Sequence, residues 1–233
     1  MQVSKPLKVH ILGTDTDVGK TWSTHQLLKA LKMRSITSCP VKPIHSGWDK
    51  EIDFWGQDLQ VHGDFLNDLT PEQLTLYSFK APMSPHAAAK LERKNITLNG
   101  LNNFWASLDD LNYQMALVEG IGGICCPLSE NLTYLEFLEK NKAPCLLITK
   151  VGLGSLNQAI MSYRLLKSIG IEVIGVLLNP EKEFKKDDLI FKSAKWELES
   201  QINCPILGPL KRGHIHIQYE FQLIADDLIK RLK

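Results

Sequence analysis

Four short apolar runs punctuate the chain, at residues 9–12, 116–118, 145–149 and 173–178. Each is continuous rather than alternating and rich in aliphatic or β-branched residues, the pattern of a strand covered on both faces in a parallel sheet. Between the runs the spacing changes to three and four. Residues 20–33, 156–169 and 219–232 read as helices; in the second, Leu156, Ile160, Tyr163 and Leu166 share one side, and Gly170 follows as a stop. A shorter extended stretch covers 36–41.

Strands alternating with helices predict right-handed crossovers and an α/β fold, a doubly wound, mostly parallel sheet flanked by helices. Such sheets bind ligands beyond the carboxyl ends of their strands. The informative residues are therefore those just after each run: 13–21, 119–123, 150–157, and Asn179 with Pro180.

Composition narrows the classes. With 233 residues, 44% hydrophobic and 23% charged, the chain can bury a sizeable core. No linker-type tract divides it, so one domain over 1–233 is expected, although 48–63 reads as irregular and 205–213 as turn-rich. Lys and Arg number 27 against 26 Asp and Glu. That balance leaves no broad field to hold a nucleic-acid backbone or an anionic membrane, so an anion must be caught by a local site. The five cysteines, Cys39, Cys125, Cys126, Cys145 and Cys204, form no C-x-x-C, and the seven histidines are scattered. Buried thiols in a reducing compartment fit this better than a structural zinc site. No apolar stretch precedes the first strand and no run has the length of a membrane span, so a cytoplasmic location is expected.

The first strand runs into GTDTDVGKT, residues 13–21, and then directly into a helix. Backbone amides of such a turn, with the helix N-terminus, make a pocket for phosphate oxygens. Lys20 supplies charge for the β and γ phosphates and the Thr21 hydroxyl can ligate Mg²⁺. Thr14 stands where the strict Walker pattern has glycine, with Gly13 displaced by one. A chance Gly-Lys-Thr at a helix start is the alternative; strand before and helix after favour the phosphate loop.

Three further segments follow strands. In VKPIHSG, 41–47, Lys42 could face the phosphate pocket, and Ser46 with Gly47 could contact a polar ligand, though a surface lysine and a simple turn would look the same. In VEGIGG, 118–123, Glu119 stands where a phosphate-bound Mg²⁺ needs an oxygen. Asp58 could add a second carboxylate. The segment from Lys150 to Ala159 repeats strand, glycine turn and helix, and its amides could bind a second anion.

In combination these segments resemble the ATP-dependent dethiobiotin synthetase family. The resemblance rests on GTDTDVGKT at Gly13, VKPIHSG at Val41, APMSPHAA at Ala81, VEGIGG followed by PL up to Leu128, LGSLN at Leu153 and GVLLN at Gly175, in order over most of the chain. It implies a P-loop NTPase-like fold and the conversion of 7,8-diaminopelargonate, CO₂ and MgATP to dethiobiotin, ADP and phosphate, through a carbamate and a carbamic-phosphoric anhydride. It also implies roles. Lys42 would be the active-site lysine between carbamate and γ phosphate, Lys20 would cradle the phosphates, and Thr16 would lie near the γ phosphate. Thr21, Asp58 and Glu119 would hold Mg²⁺. Asp17, Val18, Gly19, Lys20, Thr21 and Trp22, with Glu119, Gly120, Ile121 and Gly122, would bind nucleotide, and Asn179 would read the adenine edge. Ser46 would contact substrate. In a homodimer, Gly154, Ser155, Leu156 and Asn157 of one subunit would hold the substrate carboxylate bound to the other.

The chain departs from the family's pattern at Asp17, where a longer glutamate is common, at Gln158, at Pro180, and at 210–213, which lacks the usual proline-aromatic pairing. Nucleotide preference is left open. A ParA/MinD-like switch ATPase would carry lysine where this chain has Asp15, which argues against that class. A kinase or other ligase on another acceptor is disfavoured by the VKPIHSG and LGSLN pair. The amphipathic segment 219–233 could suggest a membrane tail, but Asp226 and Asp227 dilute its basic face and a helix packed on the sheet is favoured.

Overall fold

In the computed structural model, which describes residues 5–49, 53, 56–66, 68–180, 189–210 and 219–232, the apolar runs lie side by side. The elements in chain order are β1 (Leu7–Gly13), α1 (Lys20–Lys32), β2 (Ser38–Val41), β3 (Ile44–Ser46), α2 (Gly56–Gln60), α3 (Pro71–Leu74), β4 (Tyr77–Phe79), α4 (Pro85–Leu91), α5 (Leu98–Ser107), β5 (Met115–Glu119), β6 (Pro127–Ser129), β7 (Leu132–Thr133), α6 (Tyr134–Lys140), β8 (Cys145–Val151), α7 (Ser155–Ser168), β9 (Val173–Pro180), α8 (Leu189–Gln201), β10 (Ile206–Leu207) and α9 (Tyr219–Lys230). Six strands form one sheet in the order β10-β9-β8-β1-β5-β2, and all its pairings are parallel. Two small pairs stand apart, β3 with β4 and the β6–β7 hairpin.

The continuous apolar runs are explained by the two covered faces. Val9 and Ile11 of β1, Met115 and Leu117 of β5, and Leu146 and Ile148 of β8 pack on one face against α1 and α9. Leu12, Cys145 and Leu147 turn to the other, where α4, α6, α7 and α8 cover them. Ala116 and Val118 join Cys39, Val41 and Leu59 in a third cluster at the β2 edge. Helix α9 buries Phe221, Ile224, Ala225 and Leu228, and Arg34 pairs with Asp226 across the α1–α9 contact at 2.5 Å. The amphipathic face of 219–232 is thus spent on the protein's own core. Among the described residues no helix is long and apolar enough to cross a membrane; all five cysteines are free, but only Cys39 and Cys145 are the buried thiols expected, Cys126 and Cys204 being partly covered and Cys125, on the loop after β5, exposed.

The expected strands and the three long helices are present, each within a few residues of its expected limits. Within the stretch read as irregular, residues 56–60 form α2, a helix too short to show periodicity. Helix α5 went unseen because LNGLNNFWAS holds a glycine and three asparagines, poor helix formers; Thr97 caps it by accepting from the Gly100 amide at 3.1 Å. Residues 211–213 of the segment expected to differ in the adenine pocket lie outside the described residues.

Strand order positions the site. β5 lies between β1 and β2, with Ile11 level with Glu119 and Val41 level with Val118. The residues that follow β1, β2 and β5 therefore emerge at one height on neighbouring strands.

The sheet also buries an imidazole. His10 is fully covered, its ring stacks on Trp105 with centroids 4.7 Å apart, and its Nε2–H donates to the Asn141 carbonyl at 2.8 Å. Burial pushes its pKa from 6.5 down to about 4. The unfolded chain therefore takes up this proton first, and stability is lost as pH falls from about 6.5 toward 4, by roughly 3 kcal/mol in full. His10→Gln, which keeps a donor but cannot titrate, is expected to lose clearly less stability than the wild type between pH 7 and pH 5 in urea unfolding. Equal losses would acquit His10.

Candidate active site

The loop after β1 depends on one tight approach. Gly19 caps α1 with φ +97°, and a Cβ there would lie 2.1 Å from Asn179 Nδ2. Asn179, buried at the end of β9, donates from that nitrogen to the Val18 carbonyl at 2.7 Å. The end of β9 thus grips the loop from beneath. Asp17 also has positive φ, at 54°. Lys20 curls back into the turn, its Nζ donating to the carbonyls of Asp15 at 2.9 Å and Gly122 at 3.1 Å. Burial pushes Lys20 below the ordinary lysine pKa. A nearly dry ammonium held only by carbonyls is poised for an anion.

Beside it lies a charge cluster. Lys42, immediately after β2, is buried; its Nζ donates to Glu119 Oε1 at 2.9 Å and to Asp58 Oδ2. Burial opposes its charge, but the two carboxylates outweigh that and hold Lys42 above the ordinary lysine value. Burial likewise opposes ionisation of Asp58, and the Lys42 ammonium overrides it, lowering the carboxyl below its usual range. The Thr21 hydroxyl, one residue into α1, donates to Glu119 Oε1 at 2.8 Å and reaches Asp58 Oδ1 at 3.4 Å.

Thr21, Asp58 and Glu119 thus bring one hydroxyl and two carboxylates together. Hard oxygen donors of this kind, few in number, suit Mg²⁺, which keeps waters and shares its shell with substrate phosphates. Among the described residues no group of three or more His, Cys, Asp or Glu side chains could hold a metal alone.

These groups open on a cleft of about 780 Å³. Thr16, Asp17, Gly19, Lys20, Thr21, Trp22, Lys42, Ser46, Asp58, Glu119, Gly120, Ile121 and Gly122 all line it. Two residues expected at the nucleotide, Val18 and Asn179, do not line the cleft. The Val18 side chain is buried in the α1–α9 core and only its carbonyl faces Asn179; Asn179 has its Nδ2 committed to the loop, while its Oδ1 is buried with no partner among the described residues. Gly154, Ser155, Leu156 and Asn157 do not line the cleft. They form the turn into α7, with Gly154 at φ +84°, the Ser155 hydroxyl donating to the Gly152 carbonyl at 2.7 Å, and Leu153 fully exposed at the tip.

The cleft contains residues to which sequence reasoning assigned no role. Pro82, Met83, Ser84 and Pro85 form one wall, and Cys126 another. The Ser-Pro pair ahead of an alanine-rich run was a legible helix start, with Pro85 at the first position of α4. His45, which touches Asp58, carried no signal because a histidine inside VKPIHSG looks like any turn residue.

Known proteins resemble this chain in sequence and in fold. A family model described as an AAA domain matches residues 8–213. The ATP-dependent dethiobiotin synthetase BioD of Aquifex aeolicus (strain VF5) is 33% identical over 174 residues, covering 74% of this chain and 76% of that protein. Among solved structures, the MinD cell division protein of Aquifex aeolicus superposes with a TM-score of 0.55 at 14% identity, covering 97% of each chain. Cobyrinic acid a,c-diamide synthase from Mycobacterium smegmatis, with bound ADP and magnesium, gives 0.53 at 14% identity over 97% of this chain and 95% of its own. These two likenesses are of fold, and the fold is that of the P-loop NTPases.

The Gly19 contact is directly testable. Gly154 has a similar φ but open space around a Cβ, whereas Gly19 has none. Gly154→Ala should cost only the backbone strain, about 1–2 kcal/mol, and Gly19→Ala should cost more because Asn179 must also move. Urea midpoints in the reverse order would refute the grip of β9 on the loop.

Proposed function

This chain belongs to the ATP-dependent dethiobiotin synthetase family, and we propose that it closes 7,8-diaminopelargonate and CO₂ into dethiobiotin, the ring-closing step of biotin biosynthesis, at the expense of ATP. The observation that carries this reading is the meeting of Lys42, Asp58, Glu119 and Thr21 beside the Lys20 loop, at the ends of three neighbouring strands. In the proposed sequence one substrate amine captures CO₂ as a carbamate. A carbamate oxygen attacks the γ phosphorus and ADP leaves, giving a carbamic-phosphoric anhydride. The neighbouring amine then attacks the carbonyl carbon, phosphate departs, and the cyclic urea is closed.

The protein's part is positioning and charge, as phosphoryl transfer requires. Lys20 would neutralise the β and γ phosphates and Thr16 would lie near the γ phosphate. Lys42 would leave its carboxylates for the oxygens between carbamate and phosphorus. Mg²⁺, held by Thr21, Asp58 and Glu119, would supply charge neutralisation for the triphosphate when bound. Ser46 would orient the diamine, and the unpartnered Oδ1 of Asn179 would accept from the adenine amino group. We read residues 1–233 as one catalytic unit working in the cytoplasm, which suits five free cysteines.

ATP consumption should require diaminopelargonate and bicarbonate together, and Lys42→Ala should lower turnover roughly 10²–10³-fold with the fold intact. Hydrolysis stimulated instead by DNA, lipid or a protein partner would favour a switch ATPase, and an unchanged turnover number would remove Lys42 from the mechanism.

The turn at 154–157 stands apart from the cleft of its own chain, which supports a homodimer whose partner supplies it. Mixing inactive Lys42→Ala with inactive Asn157→Ala subunits should restore activity, because every heterodimer of the two contains one site with neither change. No recovery on subunit exchange would argue for a site completed within one chain.

A further inference from the structure

One buried side chain touches the charge cluster without a part in the reaction above. His45, on β3, is 3% exposed, and its Nε2 lies 3.4 Å from Asp58 Oδ2. Its Nδ1 is also buried and has no partner among the described residues. An imidazole with one proton meets both conditions by keeping it on Nε2, facing the carboxylate.

The helix that delivers Asp58 is docked on the same ring. Gly56 opens α2 with φ +71°, and a Cβ there would sit 2.7 Å from His45 Cε1 and 2.7 Å from Trp48 Cγ. The indole and imidazole centroids are 5.1 Å apart. The first backbone unit of α2 therefore rests on the His45–Trp48 pair, and Asp58 follows two residues later.

Among the described residues the hydrogen-bond donors to Asp58 are Lys42 and the Thr21 hydroxyl, both with work elsewhere once ligands bind. His45, 3.4 Å from the carboxylate, is the neighbour that stays. We propose that His45 is a positioning residue, holding Asp58 Oδ2 so that the carboxylate is set for Mg²⁺ and the metal dependence of ATP binding follows from it. The proposal rests on the reading of Asp58 as a Mg²⁺ ligand. Outer donors of this kind typically govern metal affinity by about 10–100-fold.

The test is calorimetric titration of ATP, with Mg²⁺ and separately with EDTA, into wild type, His45→Ala, His45→Gln, His45→Phe and Asp58→Asn. His45→Ala and His45→Phe are expected to weaken MgATP binding about tenfold or more while metal-free ATP affinity is unchanged. They should raise the Mg²⁺ concentration for half-maximal turnover in step. His45→Gln, whose amide can donate to the same oxygen, should recover most of the loss. The Gln and Phe variants keep the cavity filled, so the comparison survives a His45→Ala chain that fails to fold. Wild-type MgATP affinity in His45→Ala, or recovery by Phe equal to that by Gln, would show that the ring only fills space and would overturn the proposal. Metal dependence unchanged in Asp58→Asn would overturn the ligand assignment itself, and the role of His45 with it.

Discussion

An ammonium with almost no water around it must draw negative charge from its neighbours, and Lys42 draws it from Glu119 and Asp58. Removing Lys42 would leave the buried Glu119 carboxylate without its nearest cation, so the three residues are held together by electrostatics before any ligand arrives. The same need explains the curl of Lys20 onto the carbonyls of Asp15 and Gly122, weaker partners than a phosphate would be. The two lysines differ in what they await. Lys42 already bonds carboxylates and must exchange them, whereas Lys20, among the described residues, hydrogen-bonds only to backbone carbonyls and stands to gain.

That cluster exists because of strand order. With β5 between β1 and β2, a loop, a lysine and a glutamate that are far apart in sequence leave the sheet at the same level. The remaining carboxylate comes from outside the sheet, on a five-residue helix seated against His45 and Trp48. A rigid frame thus sets three of the participants and a packed but smaller support sets the fourth.

Much of this was legible in the chain. Strands buried on both faces are written as continuous apolar runs, and a phosphate loop has a spacing that chemistry demands, so β1, β5, β8, β9 and residues 13–21 could be read directly. Glu119 followed from the rule that ligands sit beyond strand ends, whereas Lys42 alone read as a surface lysine until the resemblance singled it out. Asp58 could not be reached that way. Helix α2 has only five residues and no periodicity, so its acid was one among many until the resemblance singled it out. His45 was invisible for a related reason, since its importance lies in a contact between β3 and α2 that no local pattern records. The placement of Val18 and Asn179 was likewise beyond sequence, because it turns on how closely β9 can approach a glycine.

The pairing of α9 with α1 has a consequence for biogenesis. Helix α1 precedes α9 by most of the chain, yet the surface it buries is completed by Phe221, Ile224 and Leu228, and Arg34 just beyond its end is tied to Asp226. A ribosome must release residues 219–230 before that face is dry. Until then β1 and α1 wait with an unsealed apolar flank.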